Sequence, residues 1–129
     1  MIVDSSALVA ILKEEPEARA LLQVLNDHVG ELRMSAASYV ETGIVFDRNH
    51  SPQLADRLDR LIREFEIEIV PVALEQARHA RFAHRHFGSG NHPARLDFGD
   101  CFSYALARAT GEPLLSRGTD FAATDIDTA

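Results

Sequence analysis

The stretch Met1-Ile2-Val3-Asp4-Ser5-Ser6-Ala7-Leu8-Val9-Ala10-Ile11-Leu12 reads as a short apolar strand that turns straight into a helix. Ile2 and Val3 are β-branched and suit a strand. Asp4 breaks the apolar run, and Ser5 or Ser6 is placed to cap a helix running to Leu12. A carboxylate directly after a strand lies where open parallel sheets bind ligands, beyond the carboxyl ends of the strands. Asp is also a good helix cap, so this position alone fits a site and a plain helix start about equally.

The same alternation continues outward from that unit. Pro16 opens a second helix carrying Ala18, Leu21, Leu22 and Leu25 on one side, and Gly30 ends the region. Strands are expected at Leu32–Ser35, Ile67–Val70 and Leu114–Ser116, with a further short one over Thr124–Ile126. Helices are expected at Ala36–Arg48, from Ser51-Pro52 to Phe65, at Ala73–Phe87 and at Asp97–Thr110, the last stopped by Gly111. Gly88-Ser89-Gly90-Asn91-His92-Pro93 is a loop by composition. Long helical connections between strands favour crossovers and a parallel sheet of four or five strands over hairpins. No repeat or linker divides residues 1–129, so a single domain is expected.

With 46% hydrophobic and 26% charged residues, the chain has material for a core and does not read as disordered. No run approaches the ~18 apolar residues of a membrane span, and Met1–Asp4 reaches a carboxylate without a basic segment, unlike a signal peptide. The one cysteine, Cys101, has no partner for a disulfide, which suits a cytoplasmic location. A net charge of −7 runs against a nucleic-acid enzyme. Distribution tempers that: Arg78, Arg81, Arg85 and Arg95, with His79, His84, His86 and His92, form a basic strip that no acid interrupts. A solvated helix face accounts for such a strip equally well.

Four acids stand out: Asp4, Glu41, Asp100 and Asp120. Besides Asp4, Glu41 shares a helix face with Ala37, Ile44 and Val45, at spacings that put it on an apolar stripe. A carboxylate there must be paired, hydrogen-bonded or metal-bound. Asp97 and Asp100 share the first turn of a helix, where capping explains both without any site. Asp120 lies in the turn after the fourth strand. Each acid follows a different strand, so all four can converge at one sheet edge. Clustered carboxylates raise one another's pKa values, and a hard divalent cation with oxygen ligands removes that penalty.

This constellation resembles the PIN domain, and specifically the VapC ribonuclease toxins. The resemblance spans the chain and rests on four motifs: Ile2–Ile11, Ser38-Tyr39-Val40-Glu41-Thr42, Asp100 followed by Tyr104-Ala105-Leu106-Ala107 and Gly111, and Pro113-Leu114-Leu115-Ser116-Arg117-Gly118-Thr119-Asp120-Phe121. It implies a three-layer domain in which Asp4 and Asp100 are the principal ligands of Mg²⁺ or Mn²⁺. Glu41 and Asp120 would complete the acidic pocket, with Asp97, Ser6 and Ser116 in support. Ser116 matches the Thr of a frequent Thr-x-Asp pattern whose acid would fall at Gly118; here it is displaced to Asp120. Either the turn bulges to bring Asp120 inward, or the fourth acid is missing.

The resemblance further implies hydrolysis of phosphodiester bonds in single-stranded or loop RNA, a VapB-like antitoxin as partner, and a homodimer. Arg81, Arg85 and Arg95 are candidates to hold the RNA backbone. Three other readings compete: a phosphatase or phosphotransfer domain with Asp4 as nucleophile, a non-catalytic binding module, and a histidine metal site built from His84, His86 and His92. Against the first, the position two residues after Asp4 is Ser6 and not a second acid.

Overall fold

The computed structural model describes residues 1–48 and 51–129. In chain order these form β1 (Ile2–Val3), α1 (Ser5–Leu12), α2 (Ala18–Asp27), β2 (Arg33–Ser35), α3 (Ala36–Arg48), α4 (Pro52–Glu64), β3 (Glu68–Val70), α5 (Leu74–Phe87), α6 (Phe98–Thr110) and β4 (Leu114–Leu115), followed by a 3₁₀ turn at Asp120–Ala123. The sheet order is β3-β2-β1-β4, with every pairing parallel.

Strand polarity divides the core into two. Val3 and Leu115 point to the side covered by α1 to α4, where Leu8, Leu25, Met34 and Phe46 are buried. Their neighbours Ile2 and Leu114 point to the other side, with Leu96, Tyr104 and Leu106 of the α5–α6 layer. This period-2 alternation makes two apolar faces and hence three layers, as expected of a parallel sheet whose crossovers cover both sides.

The connectivity matters for function. From β1 the chain moves outward through β2 to β3, then returns to place β4 on the opposite flank of β1. That reversal is a topological switch point, where parallel sheets open a crevice at the carboxyl ends of their strands. Asp4 stands at that end of β1.

The structure amends several boundaries. The cap of α1 is Asp4 itself, not Ser5 or Ser6: its backbone is extended (φ −81°, ψ 154°) and its carboxylate accepts the Ser6 N–H. Helix α2 begins at Ala18, after a turn through Pro16 and Glu17. The strand expected over Thr124–Ile126 is absent. Asp125 is drawn onto α6 by the Tyr104 hydroxyl (2.7 Å) and the Arg108 guanidinium (2.7 Å). Only Thr128 then reaches the sheet, as a single parallel bridge to Leu114.

Helix α3 departs most from its apolar pattern. It buries Ser38, Thr42 and Phe46, while Val40 and Ile44 are 56% and 47% exposed. The two buried hydroxyls are satisfied: Thr42 Oγ1 donates to the Ser38 carbonyl at 2.7 Å, and Ser38 Oγ lies 3.1 Å from Ser103 Oγ. Hydrogen-bonded in this way, they can be buried without a desolvation penalty.

Candidate active site

Asp4 is 1% exposed and fully engaged. Its Oδ2 accepts the Ser6 N–H at 3.0 Å, and its Oδ1 accepts the Ser103 hydroxyl. Ser103, on α6, in turn meets Ser38 on α3. One carboxylate and two hydroxyls thus join β1, α3 and α6 at the switch point. Each Asp4 oxygen accepts one hydrogen bond and keeps a further lone pair, so the carboxylate is held in place and can still act as a ligand.

Glu41 enters from α3. It is half-buried, accepts the Ser5 hydroxyl at Oε1, and lies against the backbone of Gly99. A Cβ built on Gly99 would collide with the Glu41 carboxylate. Glycine at this position leaves room for the Glu41 carboxylate against the start of α6.

Asp97 and Asp100 open α6 with a reciprocal capping box. Asp97 Oδ1 accepts the Asp100 N–H at 2.9 Å, and Asp100 Oδ2 accepts the Asp97 N–H at 3.0 Å. The pattern is local to the helix start, yet it aims two more carboxylates at the same region.

Two of these acids, Glu41 and Asp100, feel the charges of their acidic neighbours. Burial pushes the Asp100 carboxyl up to about 7; the Asp97 N–H opposes this, while the Asp97 and Asp4 charges add to it. Burial likewise raises Glu41, the Ser5 hydrogen bond lowers it, and the charges of Asp4 and Asp97 raise it further. Among the described residues, no lysine, arginine or histidine forms an ion pair with Asp4, Glu41, Asp97 or Asp100. Like charges gathered without a counter-charge are costly. The available donors are carboxylate and hydroxyl oxygens, the chemistry that suits a hard divalent cation. As they stand, no three acidic, histidine or cysteine side chains among the described residues already enclose a metal position. Both oxygens of Asp4, and one oxygen each of Glu41 and Asp100, accept protein N–H or O–H groups.

Other expected site residues lie elsewhere. Asp120 is exposed at the start of the 3₁₀ turn, and its charge is not among those that raise Glu41 or Asp100. The preceding turn, with Gly118 at φ +88°, leaves it outside the cluster. Ser6 accepts the Arg117 N–H at 3.0 Å and so pins the loop after β4; Ser5 and Ser103 are the hydroxyls that touch the acids. Ser116 follows β4, beside the strand that ends in Asp4. Arg81 and Arg85 line one cavity of about 710 Å³ with His84 and Asn91. Arg95 is exposed on a left-handed backbone (φ +54°) and does not line that cavity.

The histidines do not assemble. His86 stacks on Phe82 at 3.9 Å between ring centroids, and His92 Nδ1 accepts the Ala94 N–H. No histidine metal group is found among the described residues. Sequence reasoning missed Ser5, Ser103 and Gly99. Ser103 was signalled by its place three residues after Asp100 on one helix face. Gly99 was signalled by standing inside a helix, where glycine is unfavourable without a spatial reason.

Fold and site together define a three-layer α/β protein with a cluster of acids at the switch point of its parallel sheet. The PIN domain family profile matches residues 1–127, and the chain belongs to that family. It is 49% identical over 130 residues to Ribonuclease VapC28 of Mycobacterium tuberculosis, covering 100% of this chain and 97% of the relative. Among solved structures, Mycobacterium tuberculosis VapC20, described as a sarcin-ricin loop cleaving toxin, superposes with a TM-score of 0.80 at 15% identity, covering 99% and 97% of the two chains. A chain of a toxin–antitoxin complex from Klebsiella pneumoniae superposes at 0.68 with 19% identity, over 94% and 89%. No helix among the described residues is long and apolar enough to cross a membrane.

Proposed function

We propose that this chain is an endoribonuclease, the toxin of a VapBC-type toxin–antitoxin pair, and that residues 1–129 act as one PIN domain using Mg²⁺ or Mn²⁺. The observation that carries the reading is the convergence of Asp4, Glu41, Asp97 and Asp100 at the switch point, none of them ion-paired among the described residues although Arg48 lines the groove of Glu41. The full-length likeness to Ribonuclease VapC28 supports RNA as the substrate.

A divalent ion bound here supplies activation of water and polarisation of a phosphate. Asp4 and Asp100 are the residues to hold it. Asp4 is positioned by Ser6 and Ser103; Asp100 gives Oδ2 to the capping box, which leaves Oδ1 as the oxygen for the ion. Glu41, held by Ser5 and raised above the ordinary carboxylate range, orients the attacking water and accepts its proton. Asp120 is a reserve acid that the loop after β4 would have to carry inward. Single-stranded or looped RNA suits the open pocket because paired strands would first have to separate.

The partner is a VapB-like antitoxin that covers the acids, and the active unit is a homodimer that buries apolar surface of the early helices. Toxin–antitoxin architecture in a structural neighbour supports such a partner.

The test is to incubate purified protein with total RNA, with Mn²⁺ or with chelator, and to map the new ends. Cation-dependent cutting at defined sites, lost in Asp4→Asn, is expected. Cutting that persists in chelator and in that variant would refute the assignment. Co-expression with the neighbouring open reading frame should yield a stable complex; failure to co-purify would remove the antitoxin from the proposal.

A further inference from the structure

Phe98 is 79% exposed, the most exposed large apolar side chain among the described residues, although it opens a helix whose other face is core. Its ring meets Phe102 edge-to-face at 4.9 Å between centroids, with the planes 80° apart. This contact fixes the orientation of Phe98 without covering it. The pair forms a ridge shared by two cavities. On one side lies a groove of about 730 Å³ that contains Glu41, Gly99 and Arg48 and is walled by Val40 and Ile44 of α3. On the other lies the cavity of about 710 Å³ that contains Arg81 and Arg85. Neither arginine is ion-paired among the described residues.

An exposed aromatic ridge beside a charged cleft calls for a ligand. The cavity of Arg81 and Arg85, the aromatic face and the groove that holds Glu41 and Arg48 follow one another across a single surface. Single-stranded RNA offers a phosphate for Arg81 and Arg85 and a flat base for the ring; the next phosphate, beside Glu41, would need the divalent ion of the ribonuclease reading. We propose that Phe98, steadied by Phe102, is a base-stacking platform that seats the nucleotide next to the scissile phosphate and aligns the RNA strand from Arg81 and Arg85 toward Glu41. The proposal rests on the ribonuclease reading and adds to it a positioning element for substrate. An aromatic platform reads the π-face common to all bases, so this contact contributes affinity and alignment with little base preference.

The experiment compares wild type, Phe98→Ala and Phe98→Tyr. In chelator, where cutting is stopped, each binds a short single-stranded oligoribonucleotide in which one 2-aminopurine is walked through the sequence. With Mn²⁺ added, KM and kcat are measured on the same oligonucleotide without the probe. Stacking predicts quenching at one probe position in wild type, its loss in Phe98→Ala, and its return in Phe98→Tyr. KM should rise about tenfold in Phe98→Ala with little change in kcat. An abasic nucleotide at the quenched position should weaken wild type by the same factor and Phe98→Ala no further. Unchanged KM in a Phe98→Ala protein that still cuts RNA overturns the platform and leaves the ribonuclease reading standing. A wild type that neither binds nor cuts single-stranded RNA overturns both. If Phe98→Ala weakens only the complex with the antitoxin, the ridge is a protein-docking surface and the proposal is wrong.

Discussion

Gly99 lies against the carboxylate of Glu41 so closely that a methyl group at Gly99 would occupy the space of the glutamate oxygens. In a helix interior, alanine is normally favoured over glycine by about 1 kcal/mol; at Gly99 the space is taken by the Glu41 carboxylate. Gly99→Ala should fold and displace Glu41. Misplacing a catalytic group by about an ångström costs on the order of 10²-fold in rate. Cleavage should therefore fall steeply while circular dichroism stays native. A Gly99→Ala enzyme of wild-type rate would mean that Glu41 does not need its observed position.

Ser103 links Asp4 to Ser38 inside the protein, and all three are essentially inaccessible. Ser103→Ala leaves an oxygen of a buried carboxylate without its donor. Such losses destabilise by about 1–3 kcal/mol. A urea titration should show a lower midpoint with an unchanged slope, and cleavage should weaken because Asp4 loses one of its two restraints. Equal midpoints for the two proteins would mean that water replaces the serine at no cost.

These two residues mark the limit of what the sequence could supply. The strand-turn-helix at Ile2–Leu12 and the parallel sheet were legible, because apolar periodicity and element order carry that information locally; the same order put Asp4, Glu41 and Asp100 forward as candidates. The face of α3 was not. Apolar spacing favoured Ala37, Ile44 and Val45, yet the helix buries Ser38 and Thr42 because tertiary hydroxyl partners meet them. Hydrogen bonds that span 65 and 99 positions, as Ser38–Ser103 and Ser103–Asp4 do, leave no periodic trace. Asp120 is a second case: the path of the loop after β4 depends on Ser6 holding the Arg117 N–H and on Glu15 and Glu17 holding its side chain.

Asp4→Asn separates chemistry from folding. Asparagine caps helices as well as aspartate does, and its carbonyl can still accept from Ser6 or Ser103. Thermal stability should stay within about 1–2 kcal/mol of wild type, the range of an altered cap, and cleavage should be lost with the carboxylate charge. Asp120→Asn provides the comparison. Because Asp120 is exposed and apart from the cluster, its loss should reduce cleavage less than the loss of Asp4. The reverse order, measured on one RNA under one cation concentration, would place Asp120 at the centre and require the loop after β4 to close inward.

The acid cluster also predicts how stability depends on pH. With its folded pKa raised to about 7, Asp100 binds a proton in the folded chain over a range in which the unfolded chain has lost it. The raised Glu41 acts in the same direction. Stability without divalent ions should therefore fall as pH rises from the ordinary carboxylate range toward about 7, with the contribution of these groups fullest at the acid end. A cation that binds the deprotonated cluster opposes this trend, because its ligands must first release their protons. At about 100 times its dissociation constant, such an ion adds about 2.7 kcal/mol. Melting curves with and without Mn²⁺ should differ more near about pH 8 than near about pH 5.5. The Asp4→Asn/Asp100→Asn double variant should lose the effect of the ion and melt at a temperature less sensitive to pH. An equal Mn²⁺ shift at both pH values, or one that survives in the double variant, would place the ion away from these carboxylates.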